Sequence, residues 1–282
     1  MQGIICKNCG NKFSGKYCNH CGEKVYTDHD KSIRHFIEEG FHFFTHLDGT
    51  FLRTLKYLFT RPGFVSAEIT EGRRKRYYKP ISLFIIAIII YLLFPTLRGL
   101  NLKMEDQFTF LQHMNLGFIE RLAEAKASAQ GISVETLQEK YDHKSSAIAK
   151  ILLLIIIPLC AGSIKLLFPR KRRFFFDYMI MATESANFLI YFSFLLLPLV
   201  LSILFTLAKL LKLVDNSGFN DDLLSPITMI GLIIWNTIAF RRFFKSGGFV
   251  SFLKALAYLF LQSVVIFIIY RLILFLIVLL FI

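Results

Sequence analysis

The chain has 282 residues, of which 55% are hydrophobic and 31 are phenylalanine, and its mean hydropathy is +0.53. These values exclude an ordinary soluble domain. They predict an all-α polytopic membrane protein, because apolar runs of about 18 residues or more indicate membrane spans. The formal net charge is +13. Each basic cluster adjoins an apolar run, so membrane topology and anionic lipid headgroups explain the charge better than nucleic acid does.

The first 26 residues contain two CxxC pairs in the spacing C-x2-C-x8-C-x2-C, formed by Cys6, Cys9, Cys18 and Cys21. Four thiolates on one ion form the closed tetrahedral shell of a structural zinc site. The spacing therefore predicts a zinc-ribbon-like module over residues 1–26, with iron as the alternative metal and a disulfide or redox dithiol as the remaining alternative. A closed shell argues against catalysis by this metal, and so short a module needs its metal to fold.

Residues 27–79 are predicted to form amphipathic, basic helices beside the membrane. Apolar side chains recur with a period of 3.6 over residues 33–47, and a second apolar stripe covers residues 51–59. Such helices either lie in the inner membrane interface or pack against the spans, and both interpretations stay open. On the polar face of the first stripe, three imidazoles and a carboxylate recur at helical spacing: His35, Glu39, His42 and His46. They are a candidate second metal or proton site, and the alternative is a solvated polar face.

Residues 80–282 are predicted to form a membrane domain of five spans, at about 80–98, 147–168, 184–209, 223–240 and 252–282. Residues 99–146 then form a loop outside, and its stretch "FIERLAEAKASAQ" favours a helix. The last apolar segment is longer than a bilayer requires, so it is either one tilted helix or a broken one.

Basic side chains beside the spans predict the orientation. They are Arg73, Arg74, Lys75, Arg76, Lys79, Arg170, Lys171, Arg172, Arg173, Arg241 and Arg242. In an alternating five-span topology all of them fall on one side, which the positive-inside rule makes cytoplasmic. We therefore expect a bacterial inner-membrane protein with its N-terminus in the cytoplasm and its C-terminus outside. Free cysteines agree with that compartment, and the basic side chains are expected to contact anionic headgroups.

Four polar side chains fall within or beside the predicted spans: Glu184, Asn236, Gln262 and Arg271. Polar groups at membrane depth are costly, so each is a candidate functional residue. Glu184 is placed at the start of the third span. Arg271 either reaches the outer headgroups or pairs with a carboxylate of the bundle such as Glu184.

Three stretches of the chain carry a resemblance: "CKNCG…GKYCNHCGEK", "HLDGTFLRTLKYLFTRPG" and "EGRRKRYYKPISLFIIAIIIYLLFP". Together they resemble an uncharacterised family of bacterial polytopic membrane proteins of unknown function, of a type frequent in Bacteroidota. The resemblance covers about residues 1–95 and is most specific at "LFTRPG" and "EGRRKRYYKP". It implies an N-terminal zinc-ribbon-like module followed by several membrane helices. Family members often carry histidines in a stretch like residues 177–188, where this chain has none, and the resemblance implies no activity.

Two classes of function fit these features. The first is a membrane-anchored binding or scaffold protein, in which the zinc module forms a cytoplasmic docking face for a protein partner. The second is a transporter or lipid-handling protein, in which the spans form a pathway. A membrane-embedded enzyme is third, because the sequence contains no HExxH, Walker, GxSxG or Rossmann motif and predicts no catalytic residues.

Overall fold

The computed structural model describes residues 3–25, 49–93, 118–169, 173–211 and 224–282, with the short pieces 104–105 and 108–109. Two sets of predicted site residues lie outside this part of the chain. They are the polar cluster His35, Glu39, His42 and His46, and the basic residues Arg170, Lys171 and Arg172.

The described residues are mostly helical, with one small antiparallel sheet in the cysteine module. Strands β1 (Ile4–Ile5) and β2 (Lys12–Phe13) pair Ile4 with Phe13 and Ile5 with Lys12. The helices are α1 (Gly49–Thr60), α2 (Phe64–Thr70), α3 (Pro80–Leu93), α4 (Phe118–Gln130), α5 (Val134–Leu152), α6 (Ile156–Leu167), α7 (Phe175–Ile190), α8 (Leu197–Leu210), α9 (Leu224–Phe244), α10 (Gly248–Val264) and α11 (Tyr270–Phe281).

Three short turns join some of these helices into longer ones. A 3₁₀ turn (Leu153–Ile155) links α5 to α6, and π-helical turns link α7 to α8 (Tyr191–Leu196) and α10 to α11 (Val265–Ile269). Pro198 lies two residues after the end of the first π turn, which agrees with the rule that a proline disturbs the hydrogen bonds of the preceding turn. The last apolar segment is therefore one continuous helix from Gly248 to Phe281.

Within the described residues, four helical stretches are long and apolar enough to cross a membrane: Ala147–Leu167, Phe175–Leu210, Leu224–Phe244 and Gly248–Phe281. They support the predicted membrane protein with several spans. The first predicted span, 80–98, is described only as α3, whose 14 residues measure about 21 Å, against about 30 Å for a hydrocarbon core. Residues 94–98 lie outside the described chain.

The third span begins nine residues earlier than predicted, at Phe175. Its start is set by a capping contact, in which the backbone N–H of Phe174 donates to Asp177 Oδ2 at 3.2 Å. The prediction missed this start because it followed the apolar run and treated the residues before Glu184 as a loop. Glu184 consequently lies inside a helix and not at its beginning.

The chain divides into two units, and the first comprises Met1–Phe94 with Ala161–Leu259. Helix α7 lies at its centre, with α1, α2, α3 and α9 packed against it. Every side chain from Phe176 to Phe188 is buried. A helix that is covered on all sides is expected to be apolar around its circumference, so the polar residues within this run call for a specific explanation.

Beyond the first π turn the side chains of the helix become more exposed. Helix α8 exposes a series of large apolar side chains: Leu199, Val200, Ile203, Leu204 and Leu207. Soluble proteins rarely expose so continuous an apolar surface, whereas lipid-facing helices do. The 36-residue helix from Phe175 to Leu210 thus has a protein-covered half and a half suited to lipid.

The second unit comprises Pro95–Cys160 with Phe260–Ile282. In it, α11 packs against α5. The Tyr270 hydroxyl donates to the carbonyl of Ala149 at 3.2 Å, and the rings of Tyr141 and Phe275 lie 5.7 Å apart. Helix α4 confirms the helix predicted for "FIERLAEAKASAQ".

Candidate metal centre

The four N-terminal cysteines converge at one point of the first unit. Their Sγ atoms all lie within 4.8 Å of one another. The Sγ atoms of Cys6 and Cys21 are 3.6 Å apart, as are those of Cys9 and Cys18. A tetrahedral site with metal–sulfur bonds of about 2.3 Å places its sulfurs about 3.8 Å apart, whereas a disulfide needs about 2 Å. The donor set therefore fits a thiolate-bound metal ion and does not fit a disulfide.

Two similar turns carry the four sulfurs. In each turn a glycine follows the second cysteine, and its N–H donates to the carbonyl of the first, from Gly10 to Cys6 at 2.8 Å and from Gly22 to Cys18 at 2.7 Å. Both glycines have a positive φ, of 77° and 67°. A side chain is strained in this left-handed conformation, so the CxxCG pattern follows from the backbone that the turn requires.

Polar groups around the second turn favour the thiolate form of a cysteine. The Asn8 side-chain amide and the Glu23 backbone N–H lower the pKa of the Cys21 thiol to about 6. The thiolate is the form of cysteine that binds metal. Cys6, Phe13 and Cys18 form the small buried core of the module.

The basic segment before α3 contacts this module directly. Lys75 Nζ donates to the carbonyl of Cys21 at 2.6 Å, and the Lys75 N–H donates to Glu23 Oε2 at 3.1 Å. Arg76 donates to the carbonyl of Asn8. Each cysteine turn is therefore contacted by one basic side chain, the first by Arg76 and the second by Lys75. Sequence reasoning missed this contact, because the segment was interpreted only as a topological and lipid-contacting cluster.

Most of the other basic side chains that the structure describes also have protein partners. Arg73 pairs with Glu68 at 2.6 Å and with Glu71. Arg173 donates to the carbonyl of Phe243 at 2.8 Å and lies over its ring at 4.1 Å. Arg74 and Lys79 also make interactions. Arg242 donates to the carbonyl of Pro62. Arg241 is exposed. Their predicted contact with lipid headgroups stays a prediction.

The turn between α1 and α2 packs tightly onto α9. Gly63 has φ 69°, and a Cβ atom there would lie 2.7 Å from the backbone of Ala239. Trp235 Nε1 donates to the carbonyl of Leu58 at 2.7 Å. The "TRPG" sequence of this turn thus permits a close approach that a larger residue would prevent. The second apolar stripe, 51–59, packs against helices here, although Leu52 stays exposed.

The polar side chains singled out within the helices lie in different environments. Glu184 accepts hydrogen bonds from Ser66, and Asn236 accepts one from the Ser185 hydroxyl at 2.9 Å. In the second unit Gln262 is buried, and the guanidinium of Arg271 lies 5.2 Å from the ring centre of Phe267.

A family model matches residues 48–92, and its description is "Protein of unknown function (DUF3667)". The chain is similar to this family over α1, α2, the basic segment and α3. The match supports the resemblance over that segment and carries no activity. A comparison with curated proteins and a comparison with solved structures give no match.

Proposed function

We propose that this protein is a membrane-anchored binding or scaffold protein, whose zinc-stabilised module forms a docking face in the cytoplasm. Four apolar helices and the convergent cysteines support the membrane anchor and the metal-binding module. The observation that carries the proposal is the contact between the two cysteine turns and the segment that leads into α3, through Lys75 and Arg76. Because of this contact, several hydrogen bonds hold the module against the anchor, in addition to the chain that connects them.

Charge favours this attachment when the site holds zinc. Four thiolates and one divalent ion carry a net charge of about −2. Lys75 and Arg76 bring two positive charges to the same turns, so we expect zinc to strengthen the contact. Two large side chains of the module stay available, with Ile5 65% exposed and Tyr17 60% exposed. We propose that the surface around these two side chains meets a cytoplasmic protein partner.

The proposed orientation places the module in the cytoplasm of a bacterial cell, at the inner membrane, and the C-terminus outside. With the N-terminus in the cytoplasm, the span Ala147–Leu167 must run from the outside to the inside of the membrane. The basic residues near Arg173 and Arg241 then lie inside. The chain must then cross once before residue 147. The proposal therefore requires α3 and the residues after it to form a fifth span.

A transporter or lipid-handling protein is the second candidate function. The observation that favours it is the set of buried polar side chains on the central helices, including Glu184 and Asn236. Polar groups of this kind commonly mark pathways in membrane proteins. An enzyme that acts within the membrane is the third hypothesis.

The test uses the full-length protein, cross-linked in cells, extracted in mild detergent and analysed for bound proteins and metal. We expect one zinc ion per chain and a cytoplasmic partner that the double variant Ile5→Ser, Tyr17→Ser loses while keeping its zinc. Leu52→Ser is the matched control, because it removes an exposed apolar side chain (68% exposed) outside the module. The docking role is rejected if the wild type and both variants recover the same proteins. Protein-dependent solute or lipid movement in proteoliposomes would then favour the second candidate.

A further inference from the structure

The central helix α7 contains a buried carboxyl group whose two oxygens have very different surroundings. Glu184 is only 3% exposed. Its Oε2 accepts two hydrogen bonds from Ser66 on α2, one from the backbone N–H at 2.7 Å and one from the hydroxyl. Its Oε1 has no hydrogen-bond partner within the described chain. A carboxylate oxygen buried without a donor is costly.

A second unsatisfied acceptor lies one helical turn away. Asn187 is 1% exposed, and its Nδ2 donates to the carbonyl of Pro80 at 3.0 Å. This bond fixes which end of the amide faces α3, and it leaves Oδ1 without a partner among the described residues. Residues three apart share one face of a helix, so this face of α7 carries two oxygen acceptors that lack a donor among the described residues.

Both residues line the same small cavity, which has about 10 Å³ of space for the centre of a water molecule. That is about the smallest volume that admits one water molecule. The other lining residues are Thr54, Leu58, Val65, Pro80 and Leu83. Their side chains are apolar, except for the Thr54 hydroxyl, which donates to the carbonyl of Thr50 and accepts from the N–H of Tyr78.

The surrounding charges do not replace the missing donor. Arg242 on α9 acts on Glu184 through its charge, but its guanidinium donates to the carbonyl of Pro62. No ion pair within 4.0 Å joins it to Glu184 in the described part of the chain. The carboxyl faces Ser66 on α2 and the backbone of Gly63 just before α2, and α1 and α3 contribute most of the other cavity residues. A lone buried carboxylate in such a place would pay a large desolvation cost.

We propose that Glu184 is a proton-binding site and carries its proton on Oε1 in the folded protein. The proton supplies the donor that both orphaned acceptors lack, because Oε1–H donates to Asn187 Oδ1, directly or through the single water that the cavity admits. Oε2, as the carbonyl oxygen of the neutral acid, keeps both bonds from Ser66. The neutral acid thus joins Ser66 on α2, in the segment that resembles the family, to Asn187 on the central helix α7.

A sodium ion is the competing occupant, and the geometry disfavours it. Hard cations take about six oxygen ligands, whereas this cavity offers two orphaned oxygens, and the Thr54 hydroxyl is engaged elsewhere. A donor proton needs only the acceptors that are present.

The test is infrared spectroscopy of the purified full-length protein at neutral pH. We expect the wild type to show the carbonyl band of a protonated carboxylic acid, and we expect this band to disappear in Glu184→Gln. The band should shift to higher frequency without disappearing in Asn187→Ala, because the acid then loses its acceptor. Absence of the band from the wild-type-minus-variant difference would overturn the proposal. A carbonyl band that Asn187→Ala leaves at the same frequency would also overturn the proposal.

Thermal unfolding in detergent gives an independent readout. Glutamine can accept from Ser66 and donate to Asn187, so Glu184→Gln should unfold close to the wild-type midpoint, whereas Glu184→Ala should unfold at a clearly lower temperature. Equal losses in the two variants would show that the charged form is needed and would overturn the proposal. If Glu184→Gln does not fold, the wild type is prepared with isotope-labelled glutamate. The label shifts the carbonyl band of the carboxylic acid only if the protonated group belongs to a glutamate. A sodium-dependent midpoint would also count against it.

Discussion

The cysteine module and the helical segment 49–93 lie in the same unit but are held together by different physics. The module buries little beyond Cys6, Phe13 and Cys18, which is too small a core to fold without a metal or a disulfide. The helical segment instead packs against α7, where every side chain from Phe176 to Phe188 is buried. One region therefore depends on a few strong ligand bonds and the other on many weak contacts.

The two regions meet at a surface made of charges and backbone carbonyls. Lys75 and Arg76 belong to the helical segment, and the carbonyls that they contact belong to the module. Hydrogen bonds from charged donors are worth about 1.5–3 kcal/mol each. The junction is therefore weaker than either the metal site or the helix packing, and the two regions are expected to respond separately to perturbation.

Removing the metal should have the largest effect and should be confined to the module. Binding free energies of structural zinc are about 10–16 kcal/mol, so Cys18→Ser or a strong chelator should unfold residues 3–25. Hydrogen exchange followed by mass spectrometry should show loss of protection at the N–H groups of Cys18 and Gly22, while α7 stays protected.

Cys160→Ser is the matched control for metal removal, because Cys160 is buried in α6 away from the cluster in sequence and should leave the metal content unchanged. If Cys18→Ser also removes protection from α7, the two regions form one cooperative unit and the comparison fails.

Replacing Gly63 should damage the helical segment and spare the module. Alanine there would be strained at φ 69° and would place its Cβ 2.7 Å from the Ala239 backbone. The left-handed conformation costs about 1–2 kcal/mol, and the clash adds to it, so we expect a total loss of about 3 kcal/mol in the free energy of unfolding. Thermal unfolding in detergent measures this loss, and metal content should not change.

Gly131→Ala separates the backbone strain from the steric clash. Gly131 also has a positive φ, of 65°, but a Cβ atom there would meet nothing within 4 Å. It should therefore cost only about 1–2 kcal/mol, the conformational part. Equal losses at the two glycines would mean that α9 yields to the new methyl group and that the tight packing of the α1–α2 turn is unimportant.

The two regions also differ in how much of them could be predicted. The convergence of the four cysteines follows from local spacing, because each CxxCG turn spans five residues and brings its own sulfurs together. The apolar helices were predictable for a similar reason, since length and composition alone decide whether a helix can span a membrane. Among the described residues the structure confirms four such helices, and it describes 14 residues of the first predicted span.

Contacts between distant parts of the chain could not be predicted. Ser66 and Glu184 are 118 residues apart, and α2 has only seven residues, too few for a periodic pattern to predict a helix. The charges of Lys75 and Arg76 led to a predicted position near a membrane surface, which stays a prediction. However, the sequence contains nothing that distinguishes a phosphate group from a backbone carbonyl as the acceptor, since both attract a cation.

The smallest expected effect concerns the ion pair beside the junction, which we expect to brace it. Arg73 donates two hydrogen bonds to Glu68, at 2.8 and 2.6 Å, and thereby lowers the pKa of that carboxyl group. A carboxyl whose pKa is lower in the folded state stabilises the fold above its ordinary pKa, and the stabilisation disappears as the pH falls through the lowered value. Because the side chains are partly exposed, we expect a contribution of only about 1 kcal/mol.

Glu68→Gln should therefore unfold more easily than the wild type at pH 7, and the difference should vanish in acid. Hydrogen exchange at the N–H of Arg73, which donates to the Glu68 carbonyl at 2.9 Å, reports the local effect. Glu71→Gln is the control, because the Glu71 side chain is 55% exposed against 14% for Glu68. If acid weakens both variants as much as the wild type, Glu68 does not brace the junction. The module would then be held by Lys75 and Arg76 alone, and the contrast between the two regions would become sharper.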